Sequence, residues 1–294
     1  MSAAGGGSGR ASRSSRSGGY AANSFRTEGI VVRTHRLGEA DRIIEALTPQ
    51  DGLVRFVAKG VRRSSSRFGA VVEPFMHVQL QISRGRGELH TLSQAQLITP
   101  YATALAADYE LFSVGAALAE AVGRVPAVET DGHREQYRLF HGALAAVARR
   151  RHAPRMILAS YLLRSLAAAG WAPTFTHCAS CGAPGPHADL HLDRGGAVCP
   201  RCRPSGSIHP GAALLGLLAA LAAGDWAVVD AAEEPAQRDA AGIVSAYLQF
   251  HVERRLVSLS VLDSLTALDT QYPVVATTDH RPQPPATAPR EDPS

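Results

Sequence analysis

Four cysteines, Cys178, Cys181, Cys199 and Cys202, form two C-x-x-C pairs separated by 17 residues. Each C-x-x-C turn can grip one metal ion with sulfurs about 2.3 Å from it, and the spacer returns the chain so that the second pair completes a tetrahedron. Gly182 after the first pair, with Gly195 and Gly196 before the second, supplies the backbone freedom that such tight turns need. One Zn2+ per chain is the expected cofactor. Its expected role is structural, because four thiolates fill the coordination sphere and leave no position for a reacting water. The alternative at these residues is an empty or oxidised thiol cluster. His177, His187 and His191 lie nearby and could each replace a thiolate. A histidine beside a complete cysteine set more often supports a ligand or sits at the surface.

The remaining residues do not support an enzymatic use of the metal. His133-Arg134-Glu135 matches the H-x-E half of the zinc deaminase signature, but His177 and Val198, not prolines, precede the two C-x-x-C pairs. No H-E-x-x-H occurs, and Lys59 is followed by Gly60, so there is no G-x-x-x-x-G-K-[ST] phosphate loop. The chain is expected not to be an enzyme.

The second constellation is basic. Net charge is only +4, but residues 24–102 hold 11 basic and 7 acidic side chains, while the residues after them are mildly acidic. Lys59, Arg62, Arg63 and Arg67 crowd a loop bracketed by Gly60 and Gly69, with Phe68 beside them; Arg84 and Arg86 occupy a second turn, Ser83-Arg-Gly-Arg-Gly. Arginines on two loops of one domain suit a polyanion groove in which side chains neutralise phosphate and Phe68 stacks on a base. Two solvated loops are the bland alternative.

These residues need elements to position them. Alternation in Val78, Leu80 and Ile82 against Gln79, Gln81 and Ser83 gives a period of two, and β signals recur at 28–34, 42–47, 53–58, 71–82 and 88–97. Five strands in so short a stretch, with no helix among them, predict an OB-like or SH3-like barrel over residues 24–100. After Pro100, Ala/Leu-rich segments at helical spacing predict helices over 101–125, 133–150, 154–169, 210–222 and 238–256, with Gly170 ending the third. In the last of these, Tyr247, His251 and Arg255 share one face, which predicts packing onto the barrel or the cysteine-bearing insert. The fold class is therefore α+β and multidomain. It comprises a barrel at 24–100 and an all-α domain at 101–271, with the zinc module inserted at 171–208. Residues 1–23, rich in Gly, Ser and Arg, and residues 272–294, rich in Pro, are expected to be disordered. No apolar run reaches the roughly 18 residues of a membrane span and no secretory h-region opens the chain, so the cytoplasm is the expected location and no membrane partner is expected.

Motifs along this frame resemble one family. Phe25-Arg-Thr-Glu-Gly-Ile-Val-Val-Arg33, Gly38-Glu-Ala-Asp-Arg42-Ile-Ile, Val57-Ala-Lys-Gly-Val-Arg-Arg and Leu80-Gln-Ile-Ser-Arg-Gly-Arg-Gly-Glu-Leu look like the N-terminal domain of the bacterial RecO family. Cys178-Ala-Ser-Cys-Gly-Ala-Pro, Gly195-Gly-Ala-Val-Cys-Pro-Arg-Cys and Tyr247-Leu-Gln-Phe-His-Val-Glu-Arg-Arg-Leu resemble the rest of it, with coverage from about residue 24 to 265. The resemblance implies an N-terminal OB-fold, a helical C-terminal domain holding zinc, and no catalysis. It also implies binding of single- and double-stranded DNA and annealing of complementary strands. RecR would be a partner in loading RecA onto DNA coated by single-stranded-DNA-binding protein, in the nucleoid-associated cytoplasm. It adds Arg33 and Arg42 to the expected DNA-binding residues. A zinc-ribbon regulator reading duplex DNA, a protein scaffold with an incidental basic barrel, and a zinc-dependent nucleic-acid enzyme are the competing classes.

Overall fold

The computed structural model describes residues 24–64, 66, 68–85, 87, 89–125, 129–252, 256 and 258. The two tails, Arg67, Arg86 and Arg255 lie outside the described residues. Five strands, β1 (Ser24–Leu37), β2 (Asp41–Thr48), β3 (Gly52–Ala58), β4 (Met76–Ser83) and β5 (Leu89–Pro100), close into a barrel in the order β1-β2-β3-β5-β4. All neighbours are antiparallel except β3 and β5, which is the OB-type arrangement. The long β1 serves two partners: Ser24 to Ile30 pair with β4, and Ile30 to Leu37 pair with β2, with a register shift between Val31 and Arg33. Val31, Ile44, Phe56, Val78, Leu80 and Ile82 fill the barrel interior, as period-two alternation requires.

The strand expected from Val71 begins only at Met76. Gly69–Val72 is instead a single 3-10 turn, and Phe75 takes φ 68° before β4 starts. A bulky residue in that region carries strain. It is held there by its backbone N–H, which donates to Val31 O at 2.8 Å, and by burial of its ring.

Helices α1 (Tyr101–Ala106), α2 (Tyr109–Val122), α3 (Glu129–Ala148) and α4 (Pro154–Ala168) follow. The single helix expected over 101–125 is broken because Asp108 adopts an extended backbone, and its carboxylate accepts from the N–H groups of Glu110 and Leu111 as the N-cap of α2. After a two-stranded sheet, β6 (Asp189–His191) and β7 (Gly196–Val198), come α5 (Ala212–Ala223), α6 (Trp226–Ala231) and α7 (Glu234–Val252). The short α6 was not anticipated, and α7 starts four residues before the expected Arg238. Among the described residues, no helix is long and apolar enough to cross a membrane.

The helical core includes four barrel residues, Ile30, Val32, Leu47 and Phe75, so β1 is apolar on both faces: Val31 points into the barrel and its neighbours meet the helices. Beside this seam lies a polar joint. His77 Nε2 sits 3.0 Å from Tyr137 Oη and 3.7 Å from Glu28 Oε2, and Tyr101 Oη is 2.9 Å from His141 Nε2. The two imidazoles are 4.7 Å apart, and burial lowers the pKa of both. On the far side, Tyr247 donates to Trp171 O at 3.3 Å, and His251 stacks on the Trp171 indole at 5.6 Å. The expected face of α7 therefore meets the root of the cysteine-bearing insert.

Candidate nucleic-acid interface and metal centre

The insert folds around its cysteines. The Sγ atoms of Cys178, Cys181, Cys199 and Cys202 all lie within 4.8 Å of one another and could hold a metal ion. Cys181 and Cys199 Sγ are 3.9 Å apart, close to the roughly 3.8 Å edge of a tetrahedron with 2.3 Å metal–sulfur bonds. Each C-x-x-C closes as a turn: Gly182 N–H donates to Cys178 O at 2.8 Å, and Cys202 N–H to Cys199 O at 3.0 Å. The pairs are drawn together by β6 and β7 and by an exchange across Thr174, whose carbonyl accepts from Ala197 N–H at 2.7 Å. This packing dictates Gly196: its φ is 145°, and a Cβ there would fall 2.0 Å from Thr174 O.

Charge is distributed unevenly among the thiols. Burial raises the Cys178 pKa, but the backbone N–H groups of Cys199, Cys181 and Ser180 outweigh it and bring the thiol down to about 6. Hydrogen bonding of the Cys202 thiol, as donor, to Cys181 and then Cys199 favours its protonated form and pushes it up to about 12. Backbone N–H groups thus favour the thiolate of Cys178, whereas the Cys202 thiol holds its proton, and a bound cation would supply the charge that favours its release. Of the three nearby histidines, none joins the thiol cluster: His177 is exposed with Nδ1 3.0 Å from Thr176 Oγ1, and His187 is buried with Nε2 3.0 Å from Ala183 O. Asp189 anchors the module's base. A hydrogen bond from His209, then one from Arg203, holds its carboxyl below the usual range against the opposing effect of burial.

The basic residues gather around β3. Register pairs Arg42 with Ala58, so the turn after β1 and the loop after β3 emerge side by side; it also pairs Arg55 with Leu89, which brings the root of the β4–β5 turn to the same strand. Lys59, Arg62 and Arg63 are exposed on the loop, and Arg33 and Arg84 are exposed on β1 and the β4–β5 turn. These side chains differ in what they already touch. Arg62 reaches back to the β1–β2 turn and donates to Glu39 O at 2.8 Å and Gly38 O at 3.4 Å, while its own N–H donates to Ala40 O at 2.9 Å. Gly60 N–H donates to Asp41 Oδ1 at 2.7 Å, so the two turns are stapled twice. Arg42 is ion-paired with Glu73. Phe68 packs partly against the barrel core.

Sequence reasoning passed over Arg55. Its side chain is 49% exposed on the outer face of β3, loosely paired with Glu45 at 3.3 Å, between the two basic turns. The alternation Leu53, Arg55 outward against Val54, Phe56 inward carried that information.

Residues 23–101 match the family described as recombination protein O N terminal, and residues 106–260 match recombination protein O C terminal. A relative from a Nocardioides species, called DNA repair protein RecO, is 48% identical over 242 residues, covering 81% of this chain and 99% of its own. Proteins of the same description from Thermobifida fusca and Streptomyces griseus are 45% and 47% identical, each covering 81% of this chain and 98% of their own. Two matched halves that meet where the barrel hands over to α1, and relatives aligned nearly end to end, make this chain a member of the RecO family of DNA repair proteins.

Proposed function

We propose that the protein is a non-enzymatic recombination mediator that binds single- and double-stranded DNA, anneals complementary strands and, with RecR, helps load RecA on DNA covered by single-stranded-DNA-binding protein. Family membership supports the reading. The observation that carries it is the exposed basic side chains of Arg55 on β3, of the loop that follows β3, and of the β4–β5 turn whose root pairs with β3. Lys59, Arg63, Arg84, Arg33 and Arg55 are the phosphate-neutralising candidates, joined by Arg67 and Arg86 of the same turns. Arg62 and Arg42, tied to carbonyl oxygens and to Glu73, act mainly by holding the turns in place. Exposed arginines attract phosphate through charge without discriminating bases, so binding is salt-dependent and largely independent of sequence. Annealing follows from screening two polyanions at one surface.

The metal is Zn2+, held by Cys178, Cys181, Cys199 and Cys202. Four soft donors at tetrahedral spacing, one already poised as a thiolate, suit that ion, and their number gives it a structural role. A nucleoid-associated cytoplasmic location fits this activity. The test is annealing of complementary oligonucleotides without ATP or Mg2+: acceleration that declines as salt rises is expected, and no acceleration at low salt would overturn the proposal.

A further inference from the structure

At the barrel end beside the β4–β5 turn, Arg84 of that turn and two side chains outside the basic loops, Phe25 and His90, form one small assembly. The guanidinium of Arg84 lies 4.8 Å above the centre of the Phe25 ring, and the imidazole of His90 meets the same ring edge-on at 6.0 Å. Their relative positions are built in. Phe25 pairs in register with the buried Ile82 and packs partly on the barrel core, while Gly85 N–H donates to His90 Nδ1 at 3.3 Å. Gly85 itself presses so closely on the chain that a Cβ would fall 2.0 Å from Leu89 O, which fixes the root of the turn and hence where Arg84 starts. Next to this assembly, Leu89 is 41% exposed, register-paired with Arg55. An aromatic ring covered on its outer side by a cation, with an exposed aliphatic residue and a second arginine alongside, is an apolar ledge inside a basic rim.

We propose that Phe25 is a base-stacking ledge for unpaired DNA, with Arg84 as its displaceable cover. An incoming base takes the place of the guanidinium over the ring, and Arg84 moves to the adjoining phosphate, exchanging a cation–π contact for a charge-assisted hydrogen bond. Because duplex DNA presents no free base face, this contact favours single strands, whereas the arginines of the rim serve both forms. The assignment rests on the DNA-binding reading above and adds to it a residue that discriminates between the two forms.

The test uses the full chain with Phe25→Leu, which keeps an apolar side chain against Ile82, titrated with a thymine oligonucleotide carrying one 2-aminopurine and with a blunt duplex. Single-strand affinity should fall about tenfold while duplex affinity stays unchanged. The quenching of 2-aminopurine that wild type produces should be lost. Arg84→Ala should retain the quenching and make the single-strand salt dependence shallower by about 0.7. Equal loss for both DNA forms, no loss for either, or loss of quenching in Arg84→Ala would overturn the ledge. Wild type failing to bind either form at low salt would instead overturn the DNA-binding reading, and the ledge with it.

Discussion

Arg62 and Arg63 are neighbours in sequence, yet the structure assigns them different work, and a lysine substitution separates the two roles. Arg62 uses one guanidinium nitrogen, Nη1, to bridge Glu39 O and Gly38 O, whereas Arg63 is exposed on the same loop. A lysine keeps the positive charge of Arg62, but its ammonium sits on a shorter, more flexible stem and does not hold the planar geometry in which Nη1 aims its two N–H bonds. One such surface hydrogen bond is worth about 1 kcal/mol, so Arg62→Lys should raise local opening of the stapled turns roughly fivefold. Hydrogen exchange reads this directly at the Arg62 amide, which donates to Ala40 O, and at the Gly60 amide, which donates to Asp41. The salt dependence of single-strand binding should not change in Arg62→Lys. In Arg63→Ala the pattern reverses: exchange unchanged, and a log-affinity against log-salt slope shallower by about 0.7. Native exchange at both amides in Arg62→Lys, together with a slope loss of about 0.7 in Arg62→Ala, would refute the positioning role and make Arg62 an ordinary phosphate contact.

Cys199→Ser should lower zinc content from one equivalent per chain and destabilise the helical part by several kcal/mol, a fraction of the roughly 10 to 16 kcal/mol of structural zinc sites, while the barrel stays folded; metal analysis and thermal melts check both. The joint predicts a pH dependence. Burial lowers the folded pKa of His77 and His141 below their ordinary 6.5, so the unfolded chain takes up protons first as pH falls, and stability that is complete above about 6.5 is lost progressively below it. Melting temperature against pH should show this fall and lose much of it in His77→Phe; an unchanged profile in that variant would place the dependence elsewhere. Tyr137→Phe should cost about 1 kcal/mol through its contact with His77 and leave the salt slope of DNA binding intact.

Where the chain followed one local rule, the sequence was readable. The alternation of Val78, Leu80 and Ile82 marks β4 because one face of that strand meets the barrel core, and the two C-x-x-C pairs mark the thiol centre because its geometry is local to each turn. Features settled by distant partners were not legible. Val71, Val72 and Phe75 are strand-forming types, but Pro74 interrupts them, and the chain turns there as Phe75 docks its ring in the helical core and bonds back to Val31. The break at Asp108 is by contrast local: an Asp inside an otherwise helical pattern that caps the N–H groups of Glu110 and Leu111, two and three residues on, a signal outweighed by the Ala/Leu run around it. Composition likewise made Arg62 one cation among several. Its role depends on carbonyl groups more than 20 residues away in sequence, brought beside it by strand register.

The central claim, that exposed cations around β3 neutralise phosphate for binding and annealing, is tested most directly by the triple variant Lys59→Ala, Arg63→Ala, Arg84→Ala. Wild type and variant are titrated against two unrelated single strands at several salt concentrations, and annealing is followed in the same solutions. The account predicts a slope shallower by about 2 for both sequences, with annealing falling in step and thermal stability nearly unchanged. An unchanged slope, or a loss confined to one sequence, would contradict it.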